Sequence, residues 1–314
     1  MPRDSSSAWK ARHQRWLRYV EGTVKTMEAG RAIPTGPSLE PFVPPPVSVV
    51  GGKPAKVVVC APHPDDEALV GALPLRLRLE TGARVTDCAI TLGSNLSQRA
   101  RRLRELESAC RALGFELMVP LHPSGFDNVN LKNRANRPDE WAAKVETLRE
   151  IFDRSQPDVV FAPHAEDFNT THIGTHFLAV DALGAHLARS GRGPLLLIET
   201  EYWHENAQPN LMVGVSPEVE AILVMAAAEH GGEVRRNPYH LRHPSRMIEN
   251  VRLGAEVVGG QGGPAPDFPF AELYRVMFMK GKEIVAPKPG GRIVGPMEKI
   301  DVAWLLEQFR PEGL

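Results

Sequence analysis

Two stretches, far apart in a chain of 314 residues, concentrate the residue types that bind metals and move protons. One is His63-Pro64-Asp65-Asp66-Glu67; the other is Pro163-His164-Ala165-Glu166-Asp167-Phe168-Asn169-Thr170-Thr171-His172. Each follows an apolar run, residues 57–60 and 159–162, that reads as a buried strand. Open α/β sheets bind ligands beyond the C-terminal ends of their strands, so both clusters are expected on one rim. A catalytic zinc takes about three protein ligands from His and carboxylates and keeps a position for water. His63 and Asp66, three residues apart, would face one side of a tight turn entering a helix. His172 would bring a third ligand from the distant segment. Asp65 lies beside that set, points elsewhere and is free to act as a general base. The same acids also suit the first turn of a helix, where the dipole favours negative charge. A histidine after a strand is often only a loop or capping residue. Residue types alone leave the metal reading and the structural reading both open.

The elements needed to hold those stretches show as alternating apolar strands and amphipathic helices. Strand 57–60 leads to a helix at about 67–81 carrying Leu69, Leu73, Leu75 and Leu77. Strand 85–92 follows, then a charged helix 98–113 ending at Gly114, a natural C-cap, and a short strand 115–119. Residues 120–138, rich in Asn, Pro and Gly, read as an irregular loop. Helix 139–154, strand 159–162, helix 172–188 and strand 195–199 continue the pattern. Such alternation implies right-handed crossovers and a mostly parallel sheet with helices on both faces, an α/β three-layer sandwich. Beyond Tyr202 the alternation fades. Helices are expected over 217–230 and 245–258, a Gly/Pro loop over 259–270, then short strands and a last helix at 301–309. Ahead of the sheet, Trp9, Trp16, Leu17, Val20, Val24 and Met27 suggest an amphipathic helix over 8–28. Pro34, Pro37, Pro41, Pro44, Pro45 and Pro46 then exclude helix. The expected organisation is an N-terminal helical and proline-rich extension, residues 1–47, and one domain, residues 48–314.

Composition is that of a globular protein, with 42% hydrophobic and 24% charged residues, enough to bury a large core. Lys+Arg 37 against Asp+Glu 38 gives a net charge of −1, so no global basic field would recruit nucleic acid. Arg99, Arg101, Arg102 and Arg104 recur at helical spacing and read as a solvated helix face. The cysteines Cys60, Cys88 and Cys110 form no C-x-x-C pair and suggest buried thiols. The polar N-terminus carries no apolar signal core, and no stretch approaches a membrane span. A cytoplasmic protein without a membrane partner is expected, with homo-oligomerisation left open. His172-Ile173-Gly174-Thr175-His176 lacks the Glu of a zincin, and the glycines of residues 259–263 follow a helix rather than a strand, which excludes a dinucleotide or phosphate loop.

The motif His63-Pro64-Asp65-Asp66-Glu67 after an apolar strand resembles the opening motif of the PIG-L/LmbE-like deacetylases, zinc enzymes that remove acetyl groups from N-acetylated sugars and related amides. Thr91-Leu92-Gly93 and Arg102-Leu103-Arg104-Glu105 resemble two further family motifs, and the likeness covers roughly residues 56–200. It implies a Rossmann-like fold, Zn2+ as cofactor, His63 and Asp66 as metal ligands and Asp65 as catalytic base. The family's later His-Pro-Asp-His motif falls on Asn169-Thr170-Thr171-His172, which implies His172 as the third ligand. Asn169 stands where the family often has an oxyanion-stabilising His, so Asn169 or the nearby His164 would hold that charge. Thr171 replaces the Asp that usually precedes the ligand His, and Val70-Gly71-Ala72-Leu73 alters the family's glycine-rich turn. These departures point to a divergent branch. Substrate contacts are expected from Arg102, Asn128, Tyr202 and His204, with Asn130, Arg134 and Arg137 in the long loop as further hydrogen-bonding groups. The segment Arg235-Arg236-Asn237-Pro238-Tyr239, with Arg246 and Arg252, would border the pocket and could meet a phosphate or carboxylate. The expected activity is zinc-dependent removal of an acetyl group from an N-acetylated sugar or related small amide. The alternatives are a non-catalytic sugar- or amide-binding protein on the same fold and a zinc hydrolase of another bond.

Overall fold

The computed structural model describes residues 5–38, 47 and 53–313. Pro41, Pro44, Pro45, Pro46 and the 47/48 boundary of the expected extension fall on or beside residues outside that set. The chain separates into two compact units, one ending at Thr35 and one beginning at Gly36. The first holds α1 (Ser5–Arg31), longer than the sequence suggests, with Trp9 stacked on His13 and Trp16 edge-on to Tyr19 at helical spacing. No helix among the described residues is long and apolar enough to cross a membrane.

In the second unit the strands are β1 (Lys56–Ala61), β2 (Arg84–Ala89), β3 (Glu116–Met118), β4 (Val159–Pro163), β5 (Leu195–Thr200), β6 (Leu211–Val215), β7 (Phe270–Lys280), β8 (Glu283–Val285) and β9 (Arg292–Val294). They form one sheet in the order β3-β2-β1-β4-β5-β7-β6-β9, with β8 beside β7. β3 through β5 run parallel, as the alternation requires, while β7 lies antiparallel between β5 and β6. This is the α/β, Rossmann-like arrangement, mostly parallel with antiparallel strands added at one side. The connecting helices are α2 (Asp66–Leu69), α3 (Ala72–Thr81), α4 (Arg99–Leu113), α5 (Leu131–Asn136), α6 (Pro138–Ser155), α7 (Thr170–Ser190), α8 (Pro217–Glu229), α9 (Gly231–Arg236), α10 (His243–Val257) and α11 (Val302–Phe309).

Strand alternation divides the interior into two cores. Val57, Val59, Phe161 and Ile198 face Leu73, Leu77, Leu106 and Leu223 of α3, α4 and α8. Val58, Cys60, Val160 and Leu197 face Trp141, Phe152, Leu178 and Leu183 of α6 and α7. Successive side chains on one strand point to opposite faces, so a strand covered on both sides is apolar throughout. All three cysteines are free and buried.

The sequence expectation fails in four places. The helix expected over 67–81 breaks at Val70-Gly71, a close turn that fits only glycine, since a Cβ at Gly71 would lie 2.5 Å from the Glu67 carbonyl oxygen. The freed start of α3 is capped from far away: Ala72 N–H donates to Glu272 and Leu73 N–H to the Tyr274 hydroxyl, both on β7. The expected irregular loop contains α5. The expected solvated face of Arg99, Arg101, Arg102 and Arg104 is exposed only at Arg104; the other three turn inward toward loop carbonyls and acids. Finally, the short strands expected near the C-terminus include β7, an eleven-residue strand inside the sheet.

Candidate active site

The C-terminal end of β1 meets that of β4 at the rim. Asp66 starts α2, and its Oδ2 accepts the backbone N–H of His63 at 2.9 Å, closing the turn that brings both side chains to one side. His172 sits in the first turn of α7, where Asn169 caps the helix by accepting the Thr171 N–H at 2.8 Å. Here the two strand ends come together. His63 Nδ1 is 3.2 Å from His172 Nε2, and both nitrogens are 3.4 Å from Asp66 Oδ2. An ion held at roughly 2.0–2.1 Å by tetrahedral donors needs them about 3.3–3.4 Å apart, so this imidazole–carboxylate–imidazole set fits one zinc-sized cation. These three form the one cluster of this kind among the described residues.

The charges agree with the geometry. Burial alone would raise the Asp66 carboxyl, but His172 and His63 hold it below the ordinary carboxylate range. Burial pulls the His172 imidazole down, yet Asp66 and then Asp167 carry it above its ordinary value. Asp167 Oδ1 faces His172 Nδ1 at 3.6 Å, an ion-pair distance too long for a hydrogen bond. It also accepts the Asn169 N–H, and its Oδ2 accepts the Trp203 N–H. A carboxylate behind a ligand imidazole fixes the ring's orientation and raises its basicity. Asp167 stands in that place although Thr171 occupies the residue before the histidine. In the sequence it shows only as an acid just ahead of a helix, five residues from the histidine rather than one.

Asp65 is outside the donor set. Its backbone has φ 116°, in the left-handed half that a non-glycine residue rarely adopts. Two contacts hold it there: its N–H donates to Glu67 Oε2 at 2.9 Å, and its Oδ2 accepts the Tyr239 hydroxyl at 2.6 Å. Burial, reinforced by the Asp66 charge, pushes the Asp65 carboxyl upward against the opposing pull of His230 and Arg102. Glu67 in turn lies 2.7 Å from His230, both fully buried. Nothing in the sequence marks Tyr239 or His230 as supporting the base: Tyr239 falls in the segment expected to border the pocket, and His230 only closes an expected helix.

A cavity of about 310 Å³ opens beside the centre. His63, Asp65, Asp66, Asn169, Arg102 and Tyr202 line it, and the Tyr202 ring sits edge-on to His172 at 4.6 Å. Arg102 donates to the Pro64 carbonyl at 2.9 Å and passes over Gly93, where a Cβ would lie 2.5 Å from its Nη1. Thr91 Oγ1 donates to the Pro62 carbonyl, so the Thr-x-Gly turn braces the strand end from below. Asn128 does not line this cavity; it lines a second one, about 550 Å³, that also touches His63 and Asn169. His204 is exposed and outside both linings. His164 turns one ring nitrogen to the His204 carbonyl and the other to the Glu166 N–H. Arg134 is clamped on Asp181 and lies over the Phe177 ring, and Asn130 caps α5, so both serve the scaffold. Arg236, Asn237, Tyr239 and Arg246 reach the cavity, whereas Arg252 pairs with Glu249 away from it.

Residues 58–183 match the family model described as PIG-L, GlcNAc-PI de-N-acetylase. This segment is similar to the PIG-L family. No curated protein matches the chain. Several solved structures share the fold over about seven-tenths of the chain. The conserved protein TT1542 from Thermus thermophilus is 21% identical with a TM-score of 0.51, covering 71% of this chain and 94% of its own. The N,N'-diacetylchitobiose deacetylase from Pyrococcus horikoshii is 18% identical with a TM-score of 0.51, covering 72% and 84%. GalB, the 4-carboxy-2-hydroxymuconate hydratase of Pseudomonas putida KT2440, is 17% identical with a TM-score of 0.53, covering 73% and 98%. At such identities these likenesses establish the fold alone; the hydratase among them means that this frame carries more than one reaction.

Proposed function

We propose that the chain is a zinc-dependent deacetylase acting on an N-acetylated sugar or a related small amide. The observation that carries this reading is a buried carboxylate, Asp65, held beside but outside three donors spaced for one ion. His63, Asp66 and His172 would hold the zinc. A zinc ion supplies Lewis acidity there, lowering the pKa of water and polarising an amide carbonyl. Asp65 takes the proton from the attacking water and returns it to the departing amine. Its raised proton affinity suits both halves of that exchange, and the Tyr239 hydroxyl fixes the carboxylate oxygen it bonds. Asn169 accepts the Thr171 N–H through Oδ1, which orients the side chain and leaves its NH2 as donor for the oxyanion. With both its ring nitrogens engaged by backbone groups, His164 is not assigned that role. Tyr202 and Arg102 close the cavity around the substrate.

Metal analysis of the purified protein, combined with an amine-release screen of N-acetylated sugars, tests the reading. The expected result is zinc near one per chain with release of free amine, and loss of nearly all release in Asp65→Asn while zinc stays bound. Metal-free protein that binds such sugars unchanged would replace the enzyme with a binding protein. Zinc without amine release would point to hydrolysis of another bond or to hydration.

A further inference from the structure

The matched segment supplies the metal-type donors and Asp65, but the facing wall of the same cavity comes from residues 236–246, outside it. Arg236, Arg242 and Arg246 line that wall, and Arg102 lines the floor. Their electrostatic situations differ. Arg236 and Arg102 share Glu233 with Arg101, at 2.8, 3.9 and 3.5 Å respectively, so three guanidinium groups surround one carboxylate. Neither Arg242 nor Arg246 has a carboxylate within 4.0 Å among the described residues. Arg246 is half-buried and fixed by one Nη2 bond to the Glu201 carbonyl at 2.6 Å, which leaves Nε and Nη1 for another acceptor. Arg242 is exposed and makes no side-chain hydrogen bond with any described residue. The cavity wall therefore carries at Arg242 a guanidinium that no carboxylate of the described residues pairs within 4.0 Å, and at Arg246 one offset only by longer-range attraction to the buried acids Glu201 and Glu272. A guanidinium group matches the two oxygens of a carboxylate or phosphate, and the low dielectric of a cavity strengthens that pairing.

We infer that Arg242 and Arg246, with Arg236 at their side, bind an anionic substituent of the substrate, a carboxylate or a phosphate. The natural substrate is then an acidic N-acetylated compound rather than a neutral sugar. This assignment rests on the deacetylase reading of the adjoining centre and adds the substrate class to it. It also separates the two halves of the site: residues 63–172 act on the amide, and residues 236–246 select what carries it.

Calorimetric titration of the zinc-loaded Asp65→Asn protein, in which substrates stay intact, measures the selection directly. The probes are N-acetylglucosamine, its 1-phosphate and 6-phosphate, and N-acetylmuramic acid, so that phosphate and carboxylate are tested against the same acetamide. At least one acidic probe is expected to bind about tenfold or more tightly than the neutral sugar. That ratio should fall with added salt and collapse toward one in Arg242→Ala and in Arg246→Ala. Arg242 is exposed, so its removal leaves the fold intact; the melting temperature of each variant checks this. Equal affinities across the probes, or a ratio that survives both substitutions because the anion binds zinc instead, would overturn the inference. Amine release by the native protein is scored separately. Release without anion preference removes the arginine wall and keeps the deacetylase. Anion preference lost with Arg242, without release from any probe, keeps the wall and removes the deacetylase.

Discussion

Replacing Glu67 by alanine tests how the strained base is held. One carboxylate serves two partners: Oε2 takes the Asp65 N–H at 2.9 Å, and Oε1 sits 2.7 Å from His230 Nε2. Burial pulls the His230 imidazole down, but Glu67, Asp65 and Glu105 outweigh it and leave the group above its ordinary value. The substitution therefore leaves a fully buried imidazole without the carboxylate that favours its charged form. Breaking such a pair costs about 3–5 kcal/mol, and the orphaned Asp65 N–H adds to it. Among the described residues His230 Nδ1 has no hydrogen-bond partner, so the ring has no second acceptor there to fall back on. A loss of about 4 kcal/mol in a domain of this size lowers Tm by about 8–15 °C. Urea unfolding gives the value directly, as a shifted midpoint at unchanged slope. In the Glu67→Ala/His230→Ala double variant, removing the stranded ring should recover about 2 kcal/mol relative to the sum of the single losses. Because the imidazole value is raised in the folded state, the pair's contribution is fully present below the ordinary imidazole pKa. It is lost as pH climbs through the raised value, so the coupling should vanish in alkaline buffer. A Glu67→Ala protein within about 1 kcal/mol of the native one, or additive double-variant losses, would refute this account.

Three other outcomes follow from the same geometry. Asp167→Ala removes the carboxylate behind His172 and should weaken zinc binding about 10–100-fold, measured by competition with a chromogenic chelator. Glu201, pushed up to about 7 mainly by burial, binds its proton more tightly in the folded chain than its ordinary value of 4.5 allows. Native stability should therefore decline between pH 4.5 and 7, by at most about 3 kcal/mol, and Glu201→Gln should flatten that slope in thermal melts. Gly93→Ala places a methyl on the Arg102 guanidinium at a φ of +88°; it should cost about 1–2 kcal/mol and raise KM by displacing Arg102 from the cavity.

The parallel half of the sheet could be read from sequence because each of its strands is a short apolar run bounded by a helix of clear period. β1 and β4, and the clusters that follow them, needed only that grammar to be placed on one rim. β7 escaped it. Glu272, Tyr274 and Arg275 interrupt its apolar run, yet Glu272 and Tyr274 are buried and satisfied by each other and by the start of α3. Polarity that is neutralised only after folding looks like exposure beforehand. Asp167 was obscured for a related reason: its function depends on which way an imidazole turns, and no spacing rule encodes that. Residues 236–246 form a short helix, a loop and the start of α10, where arginines carry no periodicity to distinguish a cavity wall from a solvated surface. His204 shows the converse. Adjacent in sequence to Tyr202, it reads as part of the same rim, but its side chain is exposed and lines neither cavity.

The two backbone bonds from Ala72 and Leu73 to β7 have a consequence for how this molecule comes into being. The helix behind the proposed metal ligands begins on acceptors that lie about two hundred residues downstream. Until that strand has been synthesised and inserted, two buried amides at the foot of α3 lack acceptors, at about 1–3 kcal/mol each. A chain cut after residue 183 holds every proposed ligand and still lacks the strand that completes their support, so the remaining two-fifths of the polypeptide is a structural prerequisite for the chemistry of what precedes it.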